Sequence, residues 1–227
     1  MSICVNINTG IPMKIACLYS GGKDSTYATQ WALEQGHEVQ WLNMQPQEDS
    51  MMFHHPNVNW CPLQAQAAEI KLHTFKTTHK TELVDLKNAI SSLEVNGIIT
   101  GAVESVYQKS RIDKIADELG LKAFSPIWHK KADFLKEMLA QMEVYIVSVS
   151  AQGLDEKWLA KRFEPADVDK FLSLRPPINV FLEGGEGETF VCDAPFFKKR
   201  IKVKQWDINF EKGVGKAIIK KAILVKK

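Results

Sequence analysis

The chain has 227 residues, 45% of them hydrophobic and 25% charged, with a formal net charge of +2. That is the balance of an ordinary globular protein with room for a substantial core, built as one large domain or as a domain with a smaller appendage. No window nears the ~18 uninterrupted apolar residues of a membrane span, and residues 1–12 lack the basic and apolar regions of a signal peptide. Cys4, Cys17, Cys61 and Cys192 are scattered, which argues against a CxxC zinc site and a disulfide framework and fits a reducing cytoplasm.

The charge is unevenly spread. Residues 198–227 hold eleven Lys/Arg and two acids, net +9; residues 1–197 hold 18 and 25, net −7. A basic tail on an acidic body suggests a polyanionic partner, and a lysine-decorated, solubilising sheet face explains it as well. Aromatics are not interleaved as in an RNA reader, so the signal for nucleic acid is weak.

Residues 1–12 read as a leader that adds little to the fold. Lys14 to Tyr19 reads as a buried strand, and Thr26 to Gln35 as a helix stopped by Gly36. Glu38–Met44 is the next strand, followed by a polar, methionine-rich loop from Gln45 to Trp60. A helix begins at Pro62, a third strand covers Leu72–Lys76, and Thr81 caps a helix carrying Leu83, Leu86, Ile90 and Leu93. Gly97–Gly101 is a short strand, Arg111–Leu119 a helix, and Leu121–Ser125 a further strand. This alternation predicts an α/β fold: a doubly wound, Rossmann-like parallel sheet over 13–127, with its ligand crevice beyond the strand ends at Ser20 and Gly101.

From residue 128 onward the pattern changes to a smaller α+β portion. It has a helix at Ala132–Gln141, a strand at Val144–Val149, helices at Leu154–Arg162 and Pro165–Leu174, and a mostly β ending whose hairpin turn is marked by Gly213 and Gly215.

Between the first strand and helix lies Ser20-Gly21-Gly22-Lys23-Asp24-Ser25. Two glycines let backbone N–H groups close on phosphate oxygens, the helix start adds its positive dipole end, and Lys23 adds a full charge. Neither the common P-loop spacing nor the dinucleotide G-x-G-x-x-G pattern is present. The alternative is a glycine turn with an incidental lysine.

Three other clusters stand out. Glu183-Gly184-Gly185-Glu186-Gly187-Glu188-Thr189 crowds three carboxylates, suited to orienting ammonia, binding Mg²⁺ or handling a proton, or else to a solvated acidic turn. Gly101 to Arg111 gathers Glu104, Tyr107, Gln108 and Arg111 after a strand, suited to ATP or substrate recognition, or else to an amphipathic helix start. Phe53-His54-His55-Pro56-Asn57 lies in the long loop, and no carboxylate spacing there supports a metal site.

The hexapeptide with Tyr27 and Ala28 resembles the PP-loop of the ATP pyrophosphatases, the adenine nucleotide α-hydrolases. Together with Phe53, His54, Pro56 and Asn57, with Gly101–Arg111, with Leu119–Leu121 and Pro126–Trp128, and with the run from Glu183 to Phe197, the chain resembles the diphthine–ammonia ligase family. One departure is Gly187, where the family tends to place an aromatic, which would loosen that loop.

The resemblance implies adenylation of a carboxylate on elongation factor 2 with release of pyrophosphate, then displacement of AMP by ammonia. ATP and Mg²⁺ are the implied cofactors. Ser20 to Ser25 and Gly101 would hold ATP, with Asn43 and Met44 facing adenine. Lys23 would stabilise charge, Asp24 would organise Mg²⁺ or phosphate, and Glu186 and Glu188 would position ammonium or take its proton. Glu104, Tyr107, Gln108, Arg111, Glu183 and Thr189 would face the substrate, and His54 and Asn57 would belong to a mobile lid. A homodimer stays open. Rival readings are a PP-loop enzyme that thiolates RNA or adenylates a small carboxylate, and an ATP-sensing module without turnover.

Overall fold

The computed structural model describes residues 11–46, 56–78 and 80–227. Five strands, β1 (Lys14–Leu18), β2 (Glu38–Pro46), β3 (Leu72–Thr77), β4 (Gly97–Ile99) and β5 (Lys122–Phe124), form one sheet in the order β3-β2-β1-β4-β5. Every neighbouring pair is parallel. Ile15, Ala16 and Cys17 of the central strand are wholly buried, as expected of a parallel strand covered on both faces. The connecting helices are α1 (Lys23–Glu34), α2 (Cys61–Ala68), α3 (Glu82–Ser91) and α4 (Val106–Leu119). Strand order reverses at β1, so the loops after β1 and β4 face each other across the switch point.

After α5 (Ala132–Gln141) come β6 (Glu143–Val149), α6 (Pro165–Ser173), β7 (Gly187–Asp193), β8 (Lys199–Glu211) and β9 (Val214–Lys226). These four strands make a second, antiparallel sheet ordered β7-β6-β9-β8. A continuous apolar core joins the two sheets, running from Ile15, Ala28 and Ala67 to Val147, Phe190 and Ala217. A smaller core, with Leu86, Ile90, Ile98 and Ile112, fills the opposite face of the parallel sheet under α3 and α4. Among the described residues no helix is long and apolar enough to cross a membrane.

Several boundaries differ from the sequence expectation. Helix α1 starts at Lys23 rather than Thr26, which puts Lys23 and Asp24 in its first turn. Helix α4 starts at Val106 rather than Arg111, because Ser105 Oγ accepts from Gln108 N and caps the end. Thr81 stands at the start of α3 without capping it; its hydroxyl donates to Asp85 at 2.6 Å. The stretch 154–162 is no helix but a single 3₁₀ turn at Glu156–Trp158, after which Ala160 takes a left-handed φ of 56° and Arg162 bridges to Tyr145. The hairpin turn is formed by Lys212 and Gly213, both at positive φ, while Gly215 belongs to β9 and packs under Leu159 and Phe210.

Candidate active site

The loop after β1 is shaped by its neighbours. Gly21 sits at φ +86°, and a Cβ there would come within 2.7 Å of Gln64 Oε1. Its carbonyl accepts from Val191 N at 3.0 Å and from Gln64 Nε2 at 2.9 Å, and Gln64 Nε2 also reaches Val191 O at 2.8 Å. Gln64 is wholly buried, so one amide ties the loop to α2 and β7 together. At the start of α1, Lys23 N donates to Thr189 Oγ1 at 3.1 Å. Ser20 N meets Ser25 Oγ at 3.3 Å across the turn.

Lys23 is 2% exposed. Its Nζ donates to Phe181 O at 2.6 Å and to Asp24 Oδ2 at 2.8 Å. The other Asp24 oxygen, Oδ1, is buried without a hydrogen-bond partner. Burial pushes the Asp24 carboxyl up to about 6, against the pull of Lys23 and with a further push from Glu183 and Glu188.

The loop after β4 closes the other side. A Cβ on Gly101 would lie 2.5 Å from the carbonyl carbon of Asp24, so only glycine lets the two loops approach this closely. Glu183 spans the gap between the halves: its carboxylate accepts from Val103 N at 2.9 Å and Glu104 N at 3.1 Å. Glu104 in turn accepts from Lys131 and from Asn179 Nδ2, each at 3.1 Å. Glu186 accepts from Asn179 N at 2.6 Å. The glutamate-rich loop is therefore stitched to the protein rather than a freely solvated turn.

These elements enclose a cavity of about 520 Å³, within the usual range for a small-molecule site. It brings together Ser20, Gly22, Lys23, Asp24, Ser25, Asn43, Met44, Gly101, Tyr107, Gln108, Glu183, Glu188 and Thr189. Leu18, Leu42 and Ile112 add an apolar wall. Asn43 Nδ2 donates to Tyr19 O at 2.8 Å, while its Oδ1 is buried and unpartnered.

Five expected site residues are not part of this lining. Gly21 stands behind the loop and braces it. Glu104 and Glu186 are engaged outside the lining, as above. Arg111 stacks its guanidinium 3.3 Å above the Tyr107 ring and supports that side chain from outside. Asn57 is not on a lid: it is buried at φ 69°, donating to Ala217 O at 2.9 Å and accepting from Ile219 N at 2.7 Å. His54 lies outside the described residues.

Gly187 does not loosen its loop. It opens β7 and pairs with Val149 of β6, and a Cβ on it would meet Ser148 O at 2.6 Å. Gln64 and Phe181 escaped the sequence reading. Gln64 had only a weak signal, since Gln66 in the same helix is also a long amide and faces out; Phe181 acts through its carbonyl, which a side-chain pattern cannot reveal.

Burial pushes the Cys17 thiol up to about 12 and those of Cys61 and Cys192 higher still, so none of the three is a ready nucleophile. No cluster of three or more metal-ligating side chains occurs among the described residues.

Residues 13–123 match the model of the diphthamide synthase N-terminal domain, and residues 130–225 that of the diphthamide synthase C-terminal domain. Diphthine–ammonia ligase of Homo sapiens is 31% identical over 228 residues, 86% of this chain and 85% of that protein. The Mus musculus protein of the same name is 31% identical, over 84% of this chain and 83% of its own length. The Schizosaccharomyces pombe protein is 33% identical over 83% of this chain, which spans only 36% of that longer relative. A solved structure from Methanocaldococcus jannaschii, described as a subunit of a tRNA methyltransferase, superposes with a TM-score of 0.46 at 14% identity, over 81% of this chain and 98% of its own, too distant to carry weight. With both halves matched in order and full-length animal relatives aligned along most of their length, the chain belongs to the diphthine–ammonia ligase family.

Proposed function

We propose that this chain is an ATP-dependent amide ligase that converts the carboxylate of diphthine, on elongation factor 2, to the amide of diphthamide. The observation that carries the reading is the joining of the Ser20–Ser25 loop to the Glu183–Thr189 segment at one cavity, through Lys23 N to Thr189 and Val191 N to Gly21. A nucleotide loop and an acid-rich loop held against each other suit a transfer between a nucleotide and a second substrate.

The backbone N–H groups at the start of α1, Lys23 and the hydroxyls of Ser20 and Ser25 would grip the β- and γ-phosphates. Asn43, whose Oδ1 is buried without a partner, would accept from the adenine amino group beside the apolar wall of Leu42, Met44 and Ile112. The substrate carboxylate attacks the α-phosphorus, the bond to pyrophosphate breaks, and an acyl-adenylate forms. Ammonia adds to the acyl carbon, AMP departs, and the surplus proton passes to Glu188, which lines the cavity where Glu186 does not. Asp24, with an unpartnered oxygen, fits Mg²⁺ held by one carboxylate and the phosphates; the ion would neutralise charge on the triphosphate.

In this reading residues 13–127 are the ATP-binding portion, 128–227 the substrate portion, and 1–12 a dispensable leader. Among the described residues the cysteines, Cys17, Cys61 and Cys192, are free and buried, which fits a reducing cytoplasm and offers an RNA-thiolating reaction no ready thiolate there.

The test is product analysis with purified protein, ATP, Mg²⁺, ammonium and diphthine-bearing elongation factor 2. AMP, pyrophosphate and an amidated side chain are expected. ADP in their place would exclude attack at the α-phosphorus, and ATP left intact would point to a nucleotide-sensing module.

A further inference from the structure

Asn179 does not line the cavity, yet its backbone and side-chain polar atoms are all engaged around it. Its N–H donates to Glu186 at 2.6 Å, and its carbonyl accepts from Leu182 N at 2.8 Å. Its side-chain Oδ1 accepts from Phe181 N at 2.9 Å, and its Nδ2 donates to Glu104 Oε2 at 3.1 Å. An N–H donating to an asparagine side chain two places back is the Asx form of a turn. The peptide between Phe181 and Leu182 is thereby held at both ends. Its N–H donates to Asn179 O, and its carbonyl accepts from Lys23 Nζ at 2.6 Å. The Phe181 ring centroid lies 5.7 Å from the same ammonium.

A lysine ammonium has three donors and sits on a flexible four-carbon stem, so a fixed carbonyl is what keeps it in one place. Phe181 O and Asp24 Oδ2 take two of the donors, which leaves the third for a phosphate oxygen. The same turn grips the loop across the cavity. Asn179 Nδ2 holds the Glu104 side chain, and Glu183, just past the turn, accepts from Val103 N and Glu104 N. That loop carries Gly101, pressed against Asp24, and leads through the Ser105 cap to Tyr107 and Gln108 in the cavity wall.

Resting on the amide-ligase reading, we propose that Asn179 is a positioning residue, whose side chain sets the Phe181 carbonyl against Lys23 and the Gly101–Ser105 loop against the same turn. Its chemistry separates this role from that of an ordinary turn former. A turn asks only for an acceptor, which aspartate supplies as well as asparagine. Glu104 and Glu186 both present carboxylates to residue 179, so an aspartate there would face two like charges. The amide accepts from Phe181 N and donates to Glu104 at once, which an ionised carboxylate cannot do.

The experiment compares wild type with Asn179→Ala, Asn179→Asp and the pair Asn179→Asp/Glu104→Gln, all in the full chain. Binding of an ATP analogue with a methylene between the α- and β-phosphates is measured alongside AMP release and melting temperature. Asn179→Ala removes both side-chain bonds, and affinity for the analogue should fall by about ten-fold. Asn179→Asp keeps the acceptor for Phe181 N, so its analogue affinity should stay within about three-fold of wild type. Its KM for the diphthine-bearing protein should rise by about ten-fold, because the loop at Glu104 is released. The pair reverses that bond at unchanged net charge: the new amide donates to the new carboxylate, and its oxygen still accepts from Lys131. Both quantities should then return to within about two-fold of wild type. A merely structural asparagine would lower melting temperature in step with every loss and gain nothing from the reversed pair. Asn179→Ala with wild-type analogue affinity, or a pair no better than Asn179→Asp alone, would overturn the proposal. Wild type that binds the analogue but makes no AMP from ATP would sink the amide-ligase reading, and the analogue affinities would still decide the role of Asn179.

Discussion

Lys23 and Thr189 lie 166 positions apart, and the backbone N–H of the first meets the hydroxyl of the second at 3.1 Å. A helix start leaves such N–H groups without intrahelical partners, and here one of them is satisfied by the second sheet. Thr189→Val keeps the shape and removes the acceptor. It should cost about 1–3 kcal/mol and raise KM for ATP, read by thermal denaturation and by AMP release. Unchanged values of both would mean that water replaces the hydroxyl at no cost.

Lys23→Ala should lower AMP release by about 10²–10³-fold while the protein stays folded by circular dichroism. The same change removes the cation that opposes burial at Asp24, so the Asp24 carboxyl should rise further above 6. Activity within a factor of a few of wild type would remove Lys23 from the mechanism.

Asp24 gives a pH signature with a definite sign. Its carboxyl is raised from the ordinary 3.8 to about 6, so the folded protein holds the proton more tightly than the unfolded chain does. Between those values stability should fall as pH rises, since ionising a buried carboxyl opposes folding. Mg²⁺-dependent AMP release should do the opposite and grow as pH rises through about 6, because the ion needs the ionised form. Asp24→Asn should flatten the stability profile over that window. A wild-type stability profile that climbs there instead would contradict the assignment.

Gly101→Ala forces a methyl group to within 2.5 Å of the Asp24 backbone. Overpacking of this kind costs about 1–3 kcal/mol, and it displaces the turn that carries Lys23 and Asp24. A lower melting temperature together with a lower kcat is expected; a variant with wild-type kcat would show that the two loops can separate without harm.

The parallel half was legible because its strands are apolar runs and its helices keep a 3.6-residue period, so element order and the Ser20–Gly101 crevice followed from pattern alone. Boundaries were lost where a single side chain decides them: Ser105 caps α4 and draws Tyr107 into a first helical turn ahead of the start expected at Arg111. Within the acidic loop, sequence spacing cannot distinguish a glutamate that lines the cavity from one spent on a backbone amide. Glu188 does the first and Glu186 the second, a division set by the turn at Asn179. The role of Asn57 was hidden for the same reason, since its partners lie 160 and 162 positions away.

Gln64 has a consequence for how the molecule tolerates being divided. Its single amide grips Gly21 from one half and Val191 from the other, so the shape of the early glycine turn depends on a strand of the second sheet, synthesised well after the first. A ribosome-bound chain that has emerged only as far as the fifth parallel strand would own every residue of that turn and Gln64, but not Val191, which holds both the turn and the Gln64 amide in place. Competence for nucleotide would then arrive late in synthesis, with the closing sheet, instead of with the domain whose residues contact it.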